Sequence, residues 1–304
     1  MPSITHITTS HPLTNLMVGY GSNSFIADII APPVLVKFRT GSFFKAGKEQ
    51  LKQHTAERKA GAWTNRVGFD FSSGTYQTVP YGLHTPLDQD ALDNVEKPID
   101  LRIAATNLLT GIIKLNHEVR TQTIVQDAAI VTQTAAAAAK WDTTSPTPKL
   151  DVETGKEAVR RSKGRYPSHM VLPPDTRNAL VDYFLGKAQI SYGEAAQVIS
   201  LPKLVWGLVP VVPLSVQNTA NIGATEAISD IWDKTKVLLL IVDQPSIMYT
   251  GAFATPRRTK IGKKGYRVRS WFDEGSECEF VECQTEETEL TVDAAAAYLI
   301  TTVL

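Results

Sequence analysis

Residues 101–138 read LRIAATNLLTGIIKLNHEVRTQTIVQDAAIVTQTAAAA, and this stretch decides how the rest of the chain is read. Leu101, Ala105, Leu108, Ile112, Leu115 and Val119 step by four and three, and Ile124, Ala128, Val131 and Ala135 resume the pattern after a shift. The spacing predicts one amphipathic helix from about residue 100 to 138, with Pro98 and Asp100 suited to its start. At 1.5 Å per residue it would be roughly 58 Å long, about twice the diameter of a small domain. Gly111 is its weakest point. A rod of that length cannot bury its apolar stripe inside one globule, so neighbouring molecules must cover part of it.

Upstream of the rod, residues 1–36 form an amino-terminal arm. Its apolar stretch Phe25-Ile26-Ala27-Asp28-Ile29-Ile30-Ala31 is closed by Pro32-Pro33, which forbids a continuing helix. Residues 37–84 carry Gly41, Gly47, Gly61, Gly68, Gly74 and Gly82 with aromatic residues between them, the composition of a long β-hairpin with little core of its own. Its charge is lopsided: Lys37, Arg39, Lys45, Lys48, Lys52, Arg58, Lys59 and Arg66 stand against Glu49 and Glu57. The sign then reverses at Asp88, Asp90, Asp93, Glu96 and Asp100.

Downstream, the two prolines and the Thr and Ser residues of 141–148 mark a boundary. Helix-like Val152 to Ser162 and Pro174 to Leu185 then alternate with strand-like His169 to Leu172, Leu208 to Val212 and Val237 to Val242, the order of an α/β sandwich. Tyr266 to Phe272 and Glu277 to Cys283 alternate about Asp273-Glu274-Gly275-Ser276 and read as a hairpin. Two alternatives stand for its charges, Arg257 to Arg269 without an acid and Asp273 to Asp293 without a base. The strands pair internally, or the acids meet basic loops of neighbouring copies.

Composition excludes several classes. With 304 residues, 43% hydrophobic and 20% charged, the chain has the make-up of a globular protein of about two folding units. Thirty-one basic residues balance 31 acidic ones, so no global basic field holds nucleic acid by counterion release. The amino terminus lacks a basic and apolar leader pattern, and the longest strongly apolar run, Val237 to Val242, is far short of the roughly 20 residues of a membrane span. Cys278 and Cys283, five apart on a predicted strand, lie roughly 16 Å from each other and read as free thiols. His117-Glu118 opens a zincin-like sequence, but Thr121 stands where the second ligand should be. No nucleophile elbow or phosphate loop occurs, so no catalytic, cofactor or metal site is assigned.

Arm, hairpin, spine helix, α/β unit and returning strands follow one another in an order that resembles the major capsid proteins of tailed bacteriophages. The residues that carry the resemblance are Phe25 to Asp28 and Pro32-Pro33-Val34 in the arm, then Arg58 to Gly61, Tyr76 and Tyr81-Gly82-Leu83 in the hairpin. Ala105-Thr106, Leu115 and Glu118 carry it in the helix, and Trp141-Asp142, Gly164, Pro167, Val171-Leu172-Pro173 and Tyr298-Leu299-Ile300 beyond. The resemblance implies the α+β Hong Kong 97-type capsid fold, with 37–84 as an extended loop over a neighbour and 85–145 and 257–304 as a peripheral domain. Residues 146–256 would form the axial domain around five- and six-fold axes. It further implies a non-enzymatic shell protein of the virion, assembled in the host cytoplasm from hexamers and pentamers around double-stranded DNA contacted without sequence reading. Its partners would be a portal protein, optionally a decoration protein, and a separate scaffolding protein, since the arm motif already begins at Phe25. The candidate contacts between subunits are Lys45, Lys48, Lys52, Arg58 and Lys59 against Asp88, Asp90, Asp93, Glu282, Glu286, Glu287 and Glu289. No motif selects a lysine for crosslinking. An encapsulin-type shell of the same fold, or an α/β enzyme, are the competing readings.

Overall fold

The computed structural model describes residues 8–9, 13–14, 17, 25–45, 53–54, 56–61, 63–66, 72–90, 100–186, 201–220, 225–243 and 251–304. In chain order the strands begin with β1 (Thr8–Thr9), β2 (Pro33–Val36), β3 (Thr40–Lys45), β4 (Ser72–Gln77), β5 (Val79–Asp88) and β6 (Thr134–Ala136). They continue with β7 (His169–Val171), β8 (Val209–Val211), β9 (Val216–Asn218), β10 (Ile228–Asp230) and β11 (Val237–Leu240). The last are β12 (Phe253–Arg258), β13 (Tyr266–Asp273), β14 (Cys278–Glu287), β15 (Leu290–Thr291) and β16 (Ala297–Thr301). Among the described residues, the α-helices that can be followed from end to end are α1 (Ala27–Ile30), α2 (Leu101–Val125), α3 (Pro148–Lys163) and α4 (Pro174–Gly186).

α2 starts where the sequence places it, because the Asp100 carboxylate accepts hydrogen bonds from the backbone N–H of Arg102 at 2.9 Å and of Ile103 at 3.4 Å. It stops at Val125, thirteen residues short of the expected end, so its 25 residues span roughly 38 Å. Asp127 turns the chain instead, its carboxylate accepting from Ala129 N–H and its carbonyl from Ile130 and Val131. The alanine run becomes β6, paired in parallel with β16. An open sheet edge thus outweighs the helical preference of alanine.

The buried face of α2 also differs from the expected stripe. Ala105, Leu109 and Ile113 point inward with Thr106, Thr110, His117, Glu118 and Thr121, whereas Leu108 and Ile112 are 60% and 37% exposed. The expected stripe therefore splits: Leu108 and Ile112 face outward, whereas Ala105 is buried and Leu115, Val119 and Ile124 pack against the core, and polar residues share the inner face with Leu109 and Ile113.

A seven-stranded sheet runs β1-β13-β14-β12-β15, with β5 alongside β14 and β2 alongside β12. The hairpin expected around residues 266–283 is present, β13 and β14 pairing from Tyr266↔Thr285 to Asp273↔Cys278. This sheet packs on α2 through Met17, Ala105, Leu109, Ile113, Val268, Val281 and Cys283. Among the described residues β3 and β4 form their own two-stranded sheet, with Phe43 packed against Ala254 and Val292.

The five-stranded sheet β6-β16-β11-β7-β8 holds the larger core, and every residue of β11 is buried. β16 lies in this sheet, beside β11, and not with the other strands of 257–304. Its run Tyr298-Leu299-Ile300 is apolar on both faces and needs an interior position. α3 covers the sheet at Gly155, where a Cβ would come within 2.6 Å of Leu239 Cδ1 and 2.7 Å of Tyr298 Cδ1. Gly164 ends the helix in the left-handed conformation, φ 74°. Cys278 and Cys283 are free thiols, and no described helix is long and apolar enough to cross a membrane.

Candidate functional site

The root of the hairpin, the arm and α2 meet at a cluster of charged side chains. Glu118, fully buried on α2, turns toward the arm. Its carboxylate accepts from the backbone N–H of Ile26 at 3.0 Å and of Ala27 at 2.8 Å, N-terminal donors of α1 that have no acceptor within the helix. It also accepts from Trp232 Nε1 at 2.7 Å and Ser215 Oγ at 3.4 Å. One carboxylate thus joins arm, spine helix and the segment leading into β11. Burial pushes its proton affinity up, and the donors from Trp232, Ile26 and Ala27 oppose that shift.

His117, the preceding residue, faces the other way. Its Nδ1 lies 2.8 Å from Glu289 Oε1 and 3.6 Å from Glu287 Oε1, and its Nε2 lies 3.5 Å from Asp28 Oδ1 on the arm. Arg120 reaches Glu287 and Glu289 at 2.9 Å each while its guanidinium lies 3.9 Å over the Tyr81 ring. Arg257 binds Glu287 at 2.8 Å and Asp28 at 3.3 Å. Burial opposes a charge on His117, but Glu287, Asp28 and Glu289 outweigh it and push its pKa up to about 9. Burial likewise opposes charge on Asp28, and His117 and Arg257 hold its carboxyl well below the usual range. His117, Glu287 and Glu289 bring ligand-type atoms within 4.8 Å of one another, but Arg120 and Arg257 already bind both carboxylates, so the trio is an ion-pair node.

Four of the candidate acids have basic partners within the chain. Glu282 pairs with Arg269 at 2.5 Å, Glu286 with Arg258 at 3.0 Å and with Thr78 Oγ1 at 2.8 Å, and Glu287 and Glu289 enter the node. All four candidates, Glu282, Glu286, Glu287 and Glu289, are bound inside the chain. The cross-strand spacing of β12, β13 and β14 sets acids opposite bases, so the strands neutralise one another.

The remaining candidates differ. Arg58 and Lys59 are exposed in the segment between β3 and β4, with Trp63, 96% exposed, and Arg66 close by in sequence. Lys45 is half-buried, its Nζ 5.7 Å from the Phe43 ring centroid. Asp88 and Asp90 are exposed where β5 ends beside β14, and Gln89 N–H donates to the Glu277 carbonyl. Asp88 and Asp90 therefore share one end of the sheet with exposed Glu274 and Glu277. Lys48, Lys52 and Asp93 lie outside the described residues. Sequence reasoning marked His117-Glu118 as an incomplete metal motif and Glu118 as part of the resemblance, and assigned neither residue a contact. The readable signal was the polar set Thr106, Thr110, His117, Glu118 and Thr121 on one face of the helix.

No family model matches the chain. A protein of Burkholderia phage BcepMu named major capsid protein is 27% identical over 297 residues, 95% of this chain and 94% of that one. A phage-related protein of Bordetella bronchiseptica RB50 has a similar structure, with TM-score 0.76, 21% identity and coverage of 98% and 99% of the two chains. The capsid protein of cyanophage P-SCSP1u follows with TM-score 0.62, 8% identity and coverage of 93% and 89%. At these identities the solved structures speak for the fold alone.

Proposed function

We propose that this chain, a major capsid protein with the α+β Hong Kong 97-type fold, closes with many copies of itself into an icosahedral head shell around double-stranded DNA. The observation that carries the reading is the hairpin: strands that, among the described residues, pair with no strand but each other, and a tryptophan 96% exposed in the segment that joins them. A two-stranded ribbon is marginal in water, and this one gains its missing surface from a neighbour. The outward apolar residues of α2, Leu108 and Ile112, supply further surface of the same kind. The likeness to the BcepMu protein over nearly the full length of both chains favours a phage capsid over an encapsulin compartment.

In this reading, basic hairpin residues Lys45, Arg58 and Lys59 of one copy meet the acidic sheet end at Asp88 and Asp90 of the next. One exposed pair contributes only about 0.2–1 kcal/mol, and repetition over a shell makes the sum matter. A Debye length of about 8 Å at physiological salt leaves only close pairs effective. A separate scaffolding protein, a portal protein and the packaged genome complete the partners, with assembly in the host cytoplasm and the mature protein in the virion. Electron microscopy and sedimentation of the purified protein, alone and with its scaffolding protein, test this. Closed particles are expected. A compact monomer under every condition would overturn the reading.

A further inference from the structure

The arm is fastened to α2 by two consecutive residues of different chemistry. Glu118 accepts hydrogen bonds from arm backbone, which needs no proton on the carboxylate. His117 faces the arm through Nε2, which lies at ion-pair distance, 3.5 Å, from the Asp28 carboxylate without a hydrogen bond, while Nδ1 is hydrogen-bonded to the Glu289 carboxylate at 2.8 Å. Carboxylates are acceptors, so both ring nitrogens must carry hydrogen for the two contacts to be attractive. A neutral imidazole has one N–H. Whichever tautomer it adopts, one lone pair then points at a carboxylate.

We infer that His117 is a proton-operated latch: as imidazolium it ties Asp28 of the arm to Glu289 at the edge of the peripheral sheet, and on losing a proton it loosens the arm.

The surroundings are consistent from every side. The arm contributes Asp28, and β12 contributes Arg257, which shares Asp28 and Glu287. β13 contributes the Tyr266 ring, 4.6 Å from the Arg257 guanidinium. β14 and the turn after it contribute Glu287 and Glu289, and α2 itself contributes Lys114, Glu118 and Arg120. His117 is 5% exposed, so water cannot replace a lost partner. Asp28 is half-exposed, so the arm side of the contact opens to solvent without breaching the core.

The sign follows from the raised proton affinity. Folding lifts His117 from 6.5 to about 9, so its contribution is complete below about pH 6.5 and is lost as pH rises through 9. Asp28 and Glu289 are both held below their ordinary values, so their contribution is present above the ordinary carboxylate range and is lost on acidification. The latch is closed between these limits.

Hydrogen exchange of the full-length protein, corrected for intrinsic exchange rates, reads the latch directly. Protection of the backbone amides of residues 26–31 should fall at least tenfold between pH 7 and pH 10, while that of β11 stays constant. Asp28→Asn removes the arm partner at a half-exposed position and should lower arm protection at pH 7 and flatten its pH dependence. His117→Gln should do the same. If His117→Gln fails to fold, Asp28→Asn and an NMR titration of the wild-type imidazole decide alone. Arm protection unchanged from pH 7 to 10, arm and β11 opening together, or an unaltered pH profile in Asp28→Asn would each overturn the inference. Because the readout is within one chain, it is independent of whether shells form.

Discussion

The node around residues 117 and 118 and the hairpin around residues 58–66 are built from similar residue types and end in opposite states. At the node, Glu118, Glu287 and Arg257 are all at most 4% exposed in their side chains or residues, and each has partners from other elements of the same chain. At the hairpin, Arg58, Lys59, Trp63 and Arg66 are exposed. Charges that find partners within the fold hold the arm, helix and sheet together. Charges left outside it are available to another copy. Stability of the subunit and assembly of the shell are therefore separable by mutation.

The largest effect on folding should come from Glu118→Ala. It leaves the α1 amides, Trp232 Nε1 and Ser215 Oγ without their shared acceptor in a buried site, and because each buried donor left unpaired costs about 1–3 kcal/mol, the loss should exceed that of a single such group. Glu118→Gln keeps an acceptor and should cost about 1–3 kcal/mol. Urea unfolding followed by tryptophan fluorescence measures both, and a neutral Glu118→Ala would erase the contrast drawn between the two regions.

Gly155→Val sharpens the same contrast from the apolar side. The added carbons meet Leu239 and Tyr298 where helix and sheet are pressed together, and overpacking of this kind costs about 1–3 kcal/mol. The same unfolding experiment should show a lowered midpoint, with the hairpin unaffected in limited proteolysis. An unchanged midpoint would mean that α3 can lift from the sheet freely.

Legibility in the sequence followed the range of the interaction. The turn at 273–276, the strands flanking it, and helices α3 and α4 are set by local alternation, helical spacing and prolines, and they stand within a few residues of their expected bounds. The end of α2 was not legible, because the alanines of 134–136 are claimed by β16, more than 150 residues away. The outward facing of Leu108 and Ile112 was not legible for a related reason: an apolar stripe gives no sign of whether its cover is the same chain or another one. Glu118 could be recognised as part of a familiar pattern, but its role needs residues 26, 27, 215 and 232 to converge on it, and no spacing reports that. The acids at 282–289 were offered to neighbours because their run lacks bases, whereas antiparallel pairing brings arginines from 257–269 across to them.

The smallest effect on folding, and the one that tests the other half of the comparison, should come from reversing Arg58, Lys59 and Arg66 together to Glu. All three are exposed, so subunit stability should stay within about 0.5 kcal/mol of wild type. In the proposed contact the variant sets like charges against Asp88 and Asp90 of the next copy, so assembly should suffer. The defect should be deepest at low salt and shrink as salt rises, since screening weakens repulsion as it weakens attraction. Wild-type shells should show the opposite trend and weaken with salt. Sedimentation of both proteins across a salt series separates these slopes. Normal particles from the triple variant at low salt would mean that apolar surface such as Trp63, Leu108 and Ile112 joins the copies by itself. The hairpin's positive charge would then serve only its solvation.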